Sequence, residues 1–227
     1  MSGVAQYLFE SHNSRLSLMS GQEIEVKIAI ADFRAFRRQL RECGFRIKRR
    51  RVFERNRIIE TEPASLRPGG CILRLREAGG KNTVTYKGKA TVAKHKSREE
   101  IEYEVSDAAA ARTVFERLGY KTRFIYEKYR TEYTDAAGEG IVTLDETPIG
   151  IYAELEGSEK WIDSAARILK VADTEYITAS YGALYLKWCE RAGVKPGDMT
   201  FGDDVIKDDV IGDDVLGAST QANTLVK

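Results

Sequence analysis

Glu23-Ile24-Glu25-Val26-Lys27-Ile28-Ala29-Ile30 opens the regularly patterned part of the chain. Charged and apolar residues alternate along it with period two, the period of a β-strand. Ile24, Val26, Ile28 and Ile30 share one face, and Glu23, Glu25 and Lys27 share the other. Taken alone, such a strand points its apolar side at a core and its charges at water. The same pattern recurs down the chain, and the recurrence changes what the charged face means.

Working outward, Asp32 is placed to cap a helix carrying Phe33, Phe36, Leu40 and Cys43, stopped by Gly44. A long strand follows over residues 45–61, then a loop marked by Pro63, Pro68, Gly69 and Gly70. Strands are predicted at 71–76 and 83–89, separated by the turn residues Gly79 and Gly80. Residues 90–97 read as a basic loop and 98–105 as a strand. A helix capped at Ser106 or Asp107 runs to Leu118. Further strands cover 122–134, 141–145 and 149–156, and two helices cover about 158–170 and 175–192. The division expected is a flexible leader at 1–20, one domain at 21–192, and a disordered acidic tail at 193–227. In that tail Asp203-Asp204, Asp208-Asp209 and Asp213-Asp214 recur every five residues, which suits neither helix nor strand. A calcium loop is disfavoured because rigid ligand spacing is missing.

Composition sets further limits. The 227 residues are 42% hydrophobic and 31% charged, with 36 basic against 35 acidic side chains. A whole-molecule basic field of the kind that binds nucleic acid is absent. Cys43, Cys71 and Cys189 are widely spaced, and His12 and His95 are the only histidines. A disulfide framework or a Cys/His metal centre is therefore not expected. Both histidines read as surface residues. No apolar run reaches membrane-spanning length, and a cytoplasmic location is expected.

About eight strands, mostly joined by hairpins, lose their edges if the sheet closes into a barrel. The fold class expected is α+β, with a closed eight-stranded antiparallel β-barrel and surrounding helices. Each strand then has an inside and an outside. Outward faces carrying Ile24, Val26, Leu73, Leu75, Ile101, Tyr103 and Leu155 pack under helices. The charged faces line the interior: Glu23, Glu25, Glu100, Glu102, Asp145, Glu154 and Glu156, with Lys27, Arg51, Arg74, Arg76, Lys87, Arg98, Lys128 and Arg130. Burying so many ions dry costs several kcal/mol each. A wet lumen filled by a matching ligand resolves the cost. Arginines suit a polyanion with many oxygens, and carboxylates beside it make sense when divalent cations lie between.

The ordered set Glu23-x-Glu25-x-Lys27, Leu73-Arg74-Leu75-Arg76, Tyr86-Lys87-Gly88, Arg98-x-Glu100-x-Glu102, Glu127-Lys128-x-Arg130, Asp145 and Glu154-x-Glu156 resembles the CYTH superfamily, the triphosphate tunnel metalloenzymes. That superfamily includes class IV adenylyl cyclases, thiamine triphosphatases and inorganic triphosphatases. The resemblance implies that Arg74, Arg76, Lys87, Lys128 and Arg130 grip phosphates, with Arg51 and Arg98 beside them. It implies that Glu23, Glu25, Glu154 and Glu156, with Asp145 and Glu102, hold Mg²⁺ or Mn²⁺. Lys27 would line the phosphate site, and Lys27 and Glu25 are the catalytic candidates. Glu60-Thr61 departs from the family's Asp-Thr pair. The expected activity is hydrolysis of a triphosphate, inorganic, thiamine or nucleoside. The alternatives are an adenylyl cyclase making cyclic AMP and pyrophosphate, or a polyphosphate-binding module without turnover. The partner expected is a triphosphate-containing small molecule, with neither nucleic acid nor membrane; a homodimer is compatible with this reading.

Overall fold

The computed structural model describes residues 19–202. The expected leader, apart from Met19 and Ser20, and the Asp-Asp repeats lie outside the described residues. The strands are β1 (Met19–Ile30), β2 (Arg46–Glu60), β3 (Ile72–Ala78), β4 (Lys81–Lys87), β5 (Thr91–Val92), β6 (Lys96–Val105), β7 (Lys121–Thr134), β8 (Ile141–Thr147) and β9 (Gly150–Glu156). They pair antiparallel in the order β1-β9-β8-β7-β2-β3-β4-β6, and β6 pairs back onto β1. The result is the closed eight-stranded antiparallel barrel of an α+β fold, with β5 a short hairpin partner on β6. Met19 and Ser20 already pair with β6, so the domain starts two residues before position 21.

Four helices surround the barrel, and local chemistry sets their starts. Asp32 caps α1 (Phe33–Glu42), Asp107 caps α2 (Ala108–Arg117), Ser158 caps α3 (Glu159–Ile168) and Ser180 caps α4 (Tyr181–Ala192). Each capping oxygen accepts a backbone N–H that the first turn leaves without a partner. Sequence periodicity predicts the last helix from residue 175, but only a short 3₁₀ turn forms at Asp173–Glu175. Ile177 exchanges two backbone hydrogen bonds with Lys27, at 2.7 and 3.3 Å. That pairing holds the segment extended, and α4 begins only after it.

The core lies outside the barrel wall. Val26, Ile28, Val142, Leu144 and Leu155 project outward from β1, β8 and β9 under Phe36 and Leu40 of α1 and Trp161 and Ile162 of α3. Ile59, Leu75 and Val84 do the same under Phe115 of α2. β1 is therefore covered on both sides: Glu25 and Lys27 are buried along with Val26 and Ile28. Among the described residues no helix is long and apolar enough to cross a membrane.

The expected tail boundary at residue 193 is moved by the structure. Residues 193–202 lie against β7, and Met199 is 1% exposed. The Met199 N–H donates to the Ile125 carbonyl at 2.9 Å, and the Met199 carbonyl accepts the Glu127 N–H at 2.9 Å. β8 pairs with β7 only from Tyr129 onward. The free backbone groups before that point need partners, and the segment supplies them. His95 also differs from expectation. It is buried, with Nε2 2.9 Å from Asp163 Oδ1 on α3.

Glu60 fastens the loop after β2. Its carboxylate accepts the backbone N–H groups of Thr61, Ser65, Leu66 and Arg67 at 2.8–3.1 Å. Burial opposes its charge, but those four donors outweigh burial and hold the carboxyl at about 2, below the ordinary 4.5. A depressed acid stabilises the fold above its unfolded value and loses that contribution as pH falls. Glu60→Gln is expected to cost about 1–2 kcal/mol at neutral pH and to flatten the stability loss between pH 4.5 and 2. Urea unfolding across that range checks it; an unchanged acid limb would refute the fastening role.

Candidate active site

The inward positions of the strands follow the two-residue pleat. Glu23, Glu25 and Lys27 of β1 line a cavity of about 1490 Å³. Glu154 and Glu156 of β9, Lys128 and Arg130 of β7, Arg74 and Arg76 of β3, Lys87 of β4, and Arg98, Glu100 and Glu102 of β6 line the same cavity. Twelve of the fourteen predicted site residues, with Glu100, are thus brought together.

Two are placed differently. Arg51 lies on the outer face, where its guanidinium donates to Glu146 at 2.8 Å and covers the Tyr129 ring at 3.5 Å. The cause is irregular register in β2, between Ile47 and Arg49 and between Arg49 and Val52. A bulge of this kind reverses which side a residue takes. Arg49 instead approaches Glu132, a cavity residue, at 3.6 Å. Asp145 is fully buried beneath the lining. Its carboxylate accepts from Lys128 at 2.9 Å, from Arg130 at 2.6 and 2.7 Å, and from the Tyr181 hydroxyl at 2.6 Å.

The lumen charges are matched in space. Lys27 meets Glu154 at 2.8 Å. Glu23 accepts from Lys87 at 2.6 Å and from Arg98 at 3.0 Å. Glu25 pairs with Lys96, and Arg130 also pairs with Glu154. Arg74 approaches Glu102 at 3.3 Å and Glu100 at 3.7 Å. Burial alone would raise the Glu23 carboxyl, but Lys87 and Arg98 overcome it and hold the group at about 2. Glu154 is depressed in the same way, burial being outweighed by Lys27 and Arg130. Burial disfavours a charged Lys27, yet Glu154 and Glu25 reverse the effect and keep its ammonium protonated. Glu156 is the exception: it has no hydrogen bond or ion pair among the described residues. Burial, reinforced by the nearby Glu23 carboxylate, pushes it up to about 7.

Sequence reasoning missed Lys96, assigned there to a loop, although it lies two residues before Arg98 and so shares its face. It also missed the aromatic side of the cavity. Phe124 and Tyr126 of β7 and Tyr181 and Tyr185 of α4 line it, and Phe124 stacks against Tyr185 with centroids 5.7 Å apart. The Tyr181 ring lies 4.5 Å from the Lys27 ammonium and 5.0 Å from that of Lys128. Nothing in the strand pattern identifies a helix residue that closes the lumen.

The fold is a closed antiparallel tunnel whose wall interleaves cations and carboxylates. Residues 21–178 match the CYTH domain, and the chain belongs to that family. A provisionally named adenylate cyclase of Methanocaldococcus jannaschii is 30% identical over 152 residues, 65% of this chain and 83% of the relative. A Pyrococcus horikoshii OT3 protein superposes with a TM-score of 0.61 at 25% identity, over 73% of this chain and 98% of its own. A Hippeastrum protein, described as a provisional adenylyl cyclase with a dominant triphosphatase activity, shares the fold. Its TM-score is 0.55 at 19% identity, over 77% of this chain and 97% of its own.

Proposed function

We propose that the chain is a divalent-metal-dependent enzyme, acting in the cytoplasm on a triphosphate held in the tunnel and hydrolysing it to a diphosphate and phosphate. The observation that carries this reading is the interleaving of phosphate-type cations and carboxylates on one cavity wall. Phosphate oxygens compete for Arg74, Arg76, Lys87, Arg98, Lys128 and Arg130. The carboxylates released from those cations become oxygen donors.

Glu23, Glu25, Glu154 and Glu156 would hold Mg²⁺ or Mn²⁺, with Glu102 farther along β6. The donor set fits: it offers only carboxylate oxygens, which suit a hard cation. Glu25 and Glu156 are directly opposite in the β1–β9 pair, and like charges so placed repel. A divalent cation between them would relieve that repulsion. Among the described residues no three of these side chains converge as they stand, because most are turned toward lysines and arginines. Ligation therefore involves exchange of ion-pair partners. When bound, the ion neutralises phosphate charge and polarises the bond to the leaving group.

Within this reading the chain's own groups do the positioning. Asp145 fixes Lys128 and Arg130 as a rigid pair aimed at phosphate oxygens, a positioning role in place of the ligand role expected from the sequence. Lys27, held protonated, supplies fixed positive charge where negative charge develops. Glu25 contributes a donor oxygen at the same end. Arg51, facing outward, takes no part.

Cyclisation of ATP is the second reading. Phe124, Tyr126 and Tyr185 offer rings on which a base could stack, and the M. jannaschii relative carries a cyclase name. Hydrolysis ranks first because it needs only water, with no base for a ribose hydroxyl. A product assay decides. Tripolyphosphate, thiamine triphosphate and ATP are offered separately with Mg²⁺ or Mn²⁺. Phosphate release from at least one is expected, and none in excess EDTA. Cyclic AMP as the main product from ATP would overturn hydrolysis. An undiminished rate in EDTA would overturn metal dependence, and tight binding without turnover would leave only a binding module.

A further inference from the structure

The stretch from α1 into the start of β2 is rich in basic residues. Between Phe33 and Phe53 there are nine basic residues and one acid, Glu42. Arg34, Arg38 and Arg41 fall on one stripe of α1, at spacings of four and three residues. All three are exposed, as are Arg46 and Lys48 at the start of β2. The Phe45 N–H donates to the Leu40 carbonyl at 2.9 Å, so α1 turns directly into β2, with Arg41 and Arg46 on either side of the turn. Residues 203–227 carry six aspartates against two lysines, Lys207 and Lys227.

The described chain ends beside this face. The Phe201 N–H donates to Glu127 at 3.0 Å, and its ring packs on Tyr129 with centroids 5.3 Å apart. The same Tyr129 ring carries Arg51, the last member of the basic run, at 3.5 Å. Asp203 is two residues beyond Phe201, roughly 7 Å of extended chain. Successive Asp pairs, five residues apart, advance by about 17 Å when extended, and the six β2 residues 46–51 span about 20 Å.

We propose that the acidic segment 203–227 docks on the basic face formed by α1 and the start of β2 of its own chain. Tethering at Met199 and Phe201 raises the local concentration of the aspartates at that face, and opposite charge holds them there. The docked segment would screen from other polyanions a surface that the near-neutral molecule otherwise leaves strongly positive.

Zero-length carbodiimide cross-linking of the full chain at low salt tests this, because Lys48 is the one lysine in the face. The expected product is an intramolecular amide from Lys48 to an aspartate between 203 and 214, mapped by mass spectrometry on the monomer band. Its yield should exceed tail links to the exposed Lys81 or Lys121 by about tenfold. It should disappear in Lys48→Arg, and fall sharply in 1 M NaCl, where screening reaches about 3 Å. Replacing the six aspartates by asparagine in the full chain should shift ¹⁵N–¹H resonances of residues 34–51 selectively. Tail links spread evenly over the lysines, or unmoved resonances, would overturn the proposal. Lys48 links found only between molecules would also overturn it, and would point to a second copy as the occupant.

Discussion

Glu25→Gln is expected to lower triphosphate turnover by about 10²–10⁴-fold, corresponding to the several kcal/mol that metal stabilisation of a charged transition state supplies. Glutamine preserves the shape of the side chain and can still accept from Lys96 and Arg98, which face Glu25. The fold should therefore survive, with a melting midpoint within a few degrees of the parent. The distinguishing readout is metal dependence. Half-maximal Mn²⁺ concentration should rise with the fall in rate, because an anionic donor has become a neutral one. Parent-like turnover at parent-like Mn²⁺ concentration would remove Glu25 from the proposed site. A collapse of the fold would instead assign it to stability, and circular dichroism separates the two.

Asp145→Ala is expected to destabilise the protein by about 3–5 kcal/mol, the cost of breaking a buried ion pair by removing one partner. Asp145 is fully buried and joins Lys128, Arg130 and Tyr181. Removing it leaves two cations with fewer partners, Lys128 with Glu54 at 3.7 Å and Arg130 with Glu154. For a domain of this size the loss corresponds to a fall of about 10 °C in melting midpoint. Asp145→Asn should cost less, since the amide retains a hydrogen-bond acceptor for one of them. If Asp145 instead acted as a metal ligand, excess Mn²⁺ would stabilise the parent and not Asp145→Asn, by the linkage between binding and folding. Equal stabilisation of both is the outcome expected from its buried position.

The strand reading succeeded where the pleat is regular. Glu23, Glu25 and Lys27, or Arg74 and Arg76, reach the lumen because every second residue of a strand must take the same side. The wall could bury its apolar side only under helices, so the charged side had to face the lumen. Arg51 shows the limit of that logic. The irregular register in β2 depends on pairing with β7, which local composition does not encode, and a one-residue change sends a side chain to the opposite face. Lys96 was within reach of the same parity argument and was lost only to a misplaced strand start.

The residue pattern offers Tyr181 only as a packing residue of the last helix; its place in the site, and the segment ending at Phe201, were not legible. Tyr181 enters the site from α4, whose start depends on Ile177 pairing with Lys27 across 150 positions of sequence. Met199 is buried because β7 outruns β8 and leaves backbone groups without partners. Asp145 could be placed on an inward face from its strand. Whether it would meet a metal ion or three side-chain donors depended on what the barrel brought opposite it. The barrel, its α+β class and the sign and side of most lumen charges were readable from residue order, because these follow from a local period of two. Which charge neutralises which was not readable there, because ion pairing is set by distances across the lumen between strands far apart in the chain.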